Sequence, residues 1–232
     1  MADATRSLTD MFSIFGPRRT AETDGGVEPN APATTEIAYP TRALHKFLAG
    51  LHARDNPLIL DLGPVVGSNV TFFGEQLGCR IRVEDVAADI DRHVKAGNLE
   101  ELEAFFTGRF TQAPESVDGI LCWDILDYLD RPAAQALATA LARLLRPDGY
   151  LLGLFSTAEA REQIYTKYVV VDENTLRYRT YPALRARQRS LLNGDIIKLF
   201  KTLRVTDSFL MKSNVREMLF RKPAAKTASA TL

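Results

Sequence analysis

Three apolar runs of strand length in this chain end in acidic residues, and the side chains able to do chemistry cluster there. Residues 57–69 read Pro-Leu-Ile-Leu-Asp-Leu-Gly-Pro-Val-Val-Gly-Ser-Asn: the run closes on Asp61, turns between Gly63 and Gly67, and enters a helix near Val70. Glycines let backbone approach a ligand, and such a turn leaves backbone N–H groups free where the helix begins. A second run, 79–83, ends in Glu84 and Asp85. Asp85 follows Asp61 by 24 residues (85 − 61), near the spacing of about 20 at which a carboxylate grips a ribose in dinucleotide sites. The third run, 117–122, ends in Trp123 and Asp124, with Asp127 and Tyr128 close behind. Ligands of open α/β sheets bind at that carboxyl edge. Each feature also has a plainer reading. Gly-x-x-x-Gly after a strand serves as an ordinary strand-to-helix turn, and an acid at a strand end is often only a solvated one.

The elements that must position these residues alternate. Leu44, Phe47, Leu48 and Leu51 recur at helical spacing, which predicts a helix from Thr41 to about His52. The helix from Val70 stops at Gly78, a residue suited to a left-handed end. A helical patch follows at Leu99, Leu102, Phe105 and Phe106, and then a short third strand is expected at 109–112. Pro132 suits a helix start, Leu137, Leu141, Leu144 and Leu145 supply its buried stripe, and residues 146–149 make a turn into the apolar strand 150–155. This rhythm predicts an α/β protein with a doubly wound, mostly parallel, Rossmann-like sheet. Residues 158–188 break it. They mix Tyr165, Tyr168, Tyr178 and Tyr181 with Arg177, Arg179, Arg185 and Arg187, carry one short strand at 169–171, and read as an insertion or lid. A last helix is expected at 195–202, and strands at 204–211 and 216–221 form a C-terminal antiparallel hairpin. Residues 1–35 and 223–232 read as disordered tails around a domain at 36–222. The first tail holds an apolar cluster of Leu8, Met11, Phe12, Ile14 and Phe15.

Bulk composition narrows the function classes. With 29 basic and 29 acidic residues, the formal charge is zero and no global field draws the chain to nucleic acid or anionic lipid. The 46% hydrophobic and 25% charged content is that of an ordinary globular protein, and no span is long and apolar enough to cross a bilayer. The chain does not open with a secretory pattern, so a cytoplasmic location is expected. Cys79 and Cys122 lie in apolar segments, which argues against a disulfide framework or a metal site.

In the order of these elements the chain resembles class I S-adenosylmethionine-dependent methyltransferases over about residues 39–222. Leu-Asp61-Leu-Gly63-Pro64-Val65-Val-Gly67 resembles the family's glycine-rich first motif, and Val-Glu-Asp85-Val86 its second-strand acid. Residues 117–129 resemble the fourth-strand segment, and Leu-Leu-Arg-Pro-Asp-Gly-Tyr-Leu-Leu at 144–152 the turn into the fifth strand. The resemblance implies S-adenosylmethionine as cofactor. Gly63, Pro64, Val65 and Gly67 would pass under its methionine part, with Asp61 supporting the ammonium. Asp85 would accept from the ribose hydroxyls, Val86 would pack on the adenine, and Gln112 would meet the adenine amine. Trp123 and Asp124 would line the sulfonium, a suitable pairing because carboxylates and aromatic faces stabilise cations. The family's middle glycine is replaced here by Val65, a β-branched residue.

Two functions of different class follow. One is methyl transfer to an O, N or C nucleophile of a small-molecule or protein substrate by in-line attack, with Asp127 and Tyr128 as the candidate catalytic residues and specificity lodged in 158–188 and in the N-terminal helix. The other is a catalytically inactive binding or scaffold protein built on the same fold. A third reading, an RNA surface on the Arg- and Tyr-rich segment, is minor given the balanced charge; nucleic acid is not expected as a partner. The absence of Gly-x-Gly-x-x-Gly argues against a nicotinamide dehydrogenase.

Overall fold

The structure, a computed structural model, describes residues 35–158, 163–188 and 190–224. The expected tails, with the apolar cluster from Leu8 to Phe15, lie outside the described residues except for Thr35 and 223–224.

Six strands form the main sheet in the order β3-β2-β4-β5-β9-β8. They are β2 (Leu58–Asp61), β3 (Arg80–Val83), β4 (Val117–Trp123), β5 (Leu145–Ser156), β8 (Arg204–Leu210) and β9 (Val215–Arg221). Strands β3, β2, β4 and β5 run parallel, and β9 runs against both of its neighbours. The chain leaves β2 to build β3 on one side and β4 on the other, so the connections diverge between β2 and β4. In open α/β sheets that divergence opens a crevice beyond the carboxyl ends of the strands.

Side-chain alternation divides the core into two layers. Leu60, Ile120, Cys122, Leu151 and Phe155 face α3 (Val86–Ala96), α4 (Leu102–Arg109), α5 (Arg131–Leu144) and α6 (Asn193–Leu199). Ile59, Leu121, Trp123, Leu152 and Leu154 face the other way, toward α1 (Ala43–Leu51). Gly119 allows the close approach of α1, since a Cβ there would stand 2.7 Å from Phe47. Glu217 of β9 ties the start of α1 to the sheet, one carboxylate oxygen accepting from the N–H groups of Arg42 and Ala43 at 2.9 Å each.

A second sheet stands on the α1 side. Strands β1 (Thr35–Pro40), β6 (Ile164–Asp172) and β7 (Thr175–Pro182) pair antiparallel in the order β1-β7-β6. The expected insertion is therefore a long hairpin rather than one short strand, and it recruits a strand from the start of the domain. Its inner face carries Tyr168, Val170, Leu176 and Tyr178 into the α1-side core, with Tyr39 packed against them.

Two local expectations change. Residues 109–112 form no strand: Arg109 ends α4 and the chain then runs irregularly. The charged groups there prefer ion pairs to a sheet edge, Arg109 donating to both Glu84 and Asp89. The turn at 146–149 is absorbed into β5 as an irregularity, the pairing with β4 passing from Val117–Leu145 to Gly119–Tyr150, with Asp148 left-handed at φ 61°. Elsewhere the caps agree with the sequence. Asp130 caps α5 by accepting from Ala133 N, with Pro132 in the first turn, and Gly78 is left-handed at φ 64°. Among the described residues no helix is long and apolar enough to cross a membrane.

Candidate functional site

The glycine turn sits at the divergence of β2 and β4, followed by the short α2 (Gly67–Thr71), whose path continues as one wide π turn over Phe72–Gln76. Asp61 and Trp123 end adjacent parallel strands on the same face of the sheet, and they meet. The Trp123 indole Nε1 donates to Asp61 Oδ1 at 2.6 Å, and the Gly63 N–H donates to the same oxygen at 2.9 Å. Burial pushes the Asp61 carboxyl up to about 6; the two hydrogen bonds pull it down, and the charge of Asp85 adds to the rise. Gly63 is required here by proximity. A Cβ at that position would stand 2.9 Å from the indole Cδ1 and 3.0 Å from Nε1. Gly67 has open space around it, Pro64 is half-buried, and Val65 is 64% exposed, so the β-branched side chain projects from the turn rather than crowding it.

Trp123 is held in an unusual way. Its φ of 49° is left-handed, a region bulky residues rarely adopt, and its ring stacks on Tyr168 with centroids 5.2 Å apart and planes 9° apart. Tyr168 in turn meets Tyr178 edge-on at 4.9 Å. The hairpin that carries Tyr168 is pinned to the turn by Asn69. Asn69 Nδ2 donates to Tyr168 O, and Val170 N donates to Asn69 Oδ1, both at 2.8 Å. Asn69 is 2% exposed, and its role was hidden in the sequence because an amide after a glycine is also a common helix-start residue.

At the end of β3, Asp85 is half-buried and caps α3 through one hydrogen bond from Ala88 N at 3.1 Å. Burial raises its carboxyl, the Ala88 bond lowers it, Asp89 raises it and Lys167 of β6 lowers it. Its second oxygen accepts no hydrogen bond among the described residues. Gln112 Nε2 donates to Glu84 Oε1 at 2.8 Å, while Gln112 Oε1 is buried without a partner among the described residues. Val86 corrects an expectation. It is wholly buried in the layer of α3 and α4, so its neighbours are protein side chains rather than a ligand ring.

The two candidate catalytic residues are also reassigned. Tyr128 donates its hydroxyl to Ile164 O at 2.9 Å, anchoring the start of β6, and burial pushes its ionisation well up. Asp127 is 1% exposed; its Oδ2 accepts from Ser156 N at 2.7 Å and its Oδ1 has no partner among the described residues. Burial first, then the charge of Asp124, pushes its carboxyl up to about 8, so it is protonated at neutral pH and unsuited to act as a base there. Asp124 is engaged with Arg187, whose Nη2 donates at 2.9 Å. Cys79 and Cys122 are buried and unpaired.

The residues therefore fit a nucleoside with a cationic arm in two respects. At one end half-buried Asp85 has one oxygen, and Gln112 a buried amide oxygen, that accept no hydrogen bond among the described residues, and at the other the indole N–H stands as a donor on Asp61.

No family model matches the sequence, and no curated protein matches it. Many solved structures are similar in chain path. A Burkholderia thailandensis 1,6-didemethyltoxoflavin N1-methyltransferase is 19% identical with a TM-score of 0.48, over 78% of each chain. A TehB-like S-adenosylmethionine-dependent methyltransferase from Corynebacterium glutamicum is 15% identical with a TM-score of 0.47, over 77% of this chain and 87% of that one. A third, an S-adenosylmethionine-dependent methyltransferase from Clostridium acetobutylicum, is 13% identical with a TM-score of 0.42, over 77% and 92%. By its own strand order and direction the chain is a Rossmann-like α/β protein closed by an antiparallel hairpin, and it is similar in chain path to S-adenosylmethionine-dependent methyltransferases.

Proposed function

We propose that the chain is an S-adenosylmethionine-dependent methyltransferase acting on an O, N or C nucleophile of a small-molecule or protein substrate. The observation that carries this reading is the pair of acids Asp61 and Asp85 at the carboxyl ends of β2 and β3, flanking the glycine turn at the divergence of the sheet. Asp85 would hold the ribose hydroxyls on its free oxygen, Gln112 Oε1 would accept the adenine amine, and Asp61 would take the ammonium. The bound cofactor supplies an electrophilic methyl group. The chain's own part is alignment and exclusion of water, with the hairpin clipped by Asn69 forming the wall above the turn. In-line transfer needs little more than alignment, so the structural duties of Asp127 and Tyr128 leave the reading intact.

The test is calorimetric titration of the wild type and Asp85→Asn with S-adenosylmethionine and S-adenosylhomocysteine. Binding that is weakened about tenfold or more in the variant supports the site, by analogy with removing a charge-assisted hydrogen-bond acceptor. No binding of either compound by the folded wild type favours the second reading, a binding or scaffold protein. One observation favours that alternative: the Trp123 indole already fills the space over Gly63.

A further inference from the structure

We propose that Trp123 is a displaceable gate on this crevice, its indole holding the Asp61 oxygen that the ammonium of an incoming nucleoside–amino acid ligand takes over. The inference rests on the cofactor reading above and adds to it how the site is regulated.

Four features point the same way. The indole N–H reaches Asp61 Oδ1 at 2.6 Å, a donor placed where a ligand ammonium would donate, so one can replace the other without leaving the buried carboxylate bare. The ring lies against the turn at Gly63, in the space a ligand chain would follow. Its backbone is left-handed at φ 49°, a conformation that departure of the side chain from Asp61 would leave free to relax. Its stacking partner does not move with it. Tyr168 belongs to β6, and the two hydrogen bonds of Asn69 fix that strand to α2. Withdrawal of the indole therefore uncovers an aromatic face and a carboxylate together, and both attract cationic charge. A ligand with an ammonium and a sulfonium satisfies both; a bare nucleoside satisfies neither.

Trp123 is the one tryptophan in the sequence, so its emission reports the gate directly. The wild type is titrated with S-adenosylmethionine and with adenosine while emission and acrylamide quenching are followed, and Trp123→Phe is titrated by calorimetry. The phenyl ring keeps the stack and loses the donor. The expected result is a saturable red shift and greater quenching with S-adenosylmethionine, none with adenosine, and about tenfold tighter S-adenosylmethionine binding in Trp123→Phe, the worth of one hydrogen bond to a charged acceptor. Binding by the phenylalanine variant alone is the same result in stronger form. Equal affinity in both proteins, with the wild-type emission unchanged, overturns the gate and leaves the cofactor site standing. Failure of both folded proteins to bind overturns the gate and the cofactor reading together. Should Trp123→Phe not fold, Tyr168→Leu removes the stack and keeps the indole on Asp61; S-adenosylmethionine binding by that variant with no emission shift overturns the proposal, and a retained red shift supports it.

Discussion

Replacing Asp127 by Asn removes a buried titration while keeping shape and hydrogen bonding. The amide oxygen can still accept from Ser156 N, and the NH2 group takes the place of the protonated oxygen, which has no partner among the described residues. In the wild type the folded carboxyl titrates at about 8, against about 3.9 for an unperturbed Asp. Between those values the folded state retains a proton that the unfolded state has released. Stability from this group is therefore full below the unfolded value and is lost as pH rises through the folded one. The slope is about 1.4 kcal/mol per pH unit, so from pH 5 to pH 7 the variant gains about 2.7 kcal/mol on the wild type. For an m-value of about 2–3 kcal/mol/M that is a relative shift of about 1 M in the urea midpoint. Urea unfolding followed by circular dichroism at several pH values measures it directly. The other carboxylates, Asp61 included, are common to both proteins and cancel in the difference. Parallel stability profiles for the two proteins across this window would refute the reasoning, and would mean that Arg187 or water compensates the Asp127 charge far better than its burial suggests.

Three further outcomes follow from contacts. Asp85→Ala should cost about 1 kcal/mol through loss of the α3 cap, whereas Asp85→Asn should be nearly neutral in stability because its side chain still accepts from Ala88; thermal unfolding of the pair separates capping from binding. Asn69→Ala leaves the Tyr168 carbonyl and the Val170 N–H without partners, at about 2–4 kcal/mol, and hydrogen exchange at Val170 should accelerate by orders of magnitude more than exchange in β4. Gly63→Ala presses a methyl group against the indole at 2.9 Å, which should destabilise by about 1–3 kcal/mol and shift the tryptophan emission; an unchanged spectrum would mean that the indole does not rest on the turn.

The parts of the fold legible in the sequence are those whose signals are local. Residues 117–122 and 150–155 are apolar enough to be read as buried strands, and Pro132 and Gly78 mark helix ends by their own backbone chemistry. The second sheet was not legible, because its pairing joins Thr35 to Thr180 and its strands are largely polar and aromatic. Only Val169 to Val171 carried a plain strand signal, and it marks three residues of a hairpin whose strands are nine and eight residues long. Asp61 and Asp85 could be placed from their position at strand ends. Which way Trp123 turns could not, since its contact with Asp61 depends on its own left-handed backbone at the end of β4 and on a stacking partner 45 residues away (168 − 123). Asp127 and Tyr128 look chemical in sequence and are structural because the same burial that brings them near the site also supplies Ser156 and Ile164 as partners.

The failure of residues 109–112 to form a strand has a consequence for how copies of this protein behave at high concentration. It leaves β3 as the terminal strand of the main sheet, with no further strand paired on its outer side among the described residues. Such a border can template the addition of another chain and seed aggregation. Here the border is only four residues long, and of its two exposed arginines Arg82 is paired with Glu84 while Arg80 places positive charge along it. An approaching identical strand would bring a second Arg80 to the same margin. The segment that does not extend the sheet thus leaves a short, self-repelling margin that discourages strand-to-strand growth.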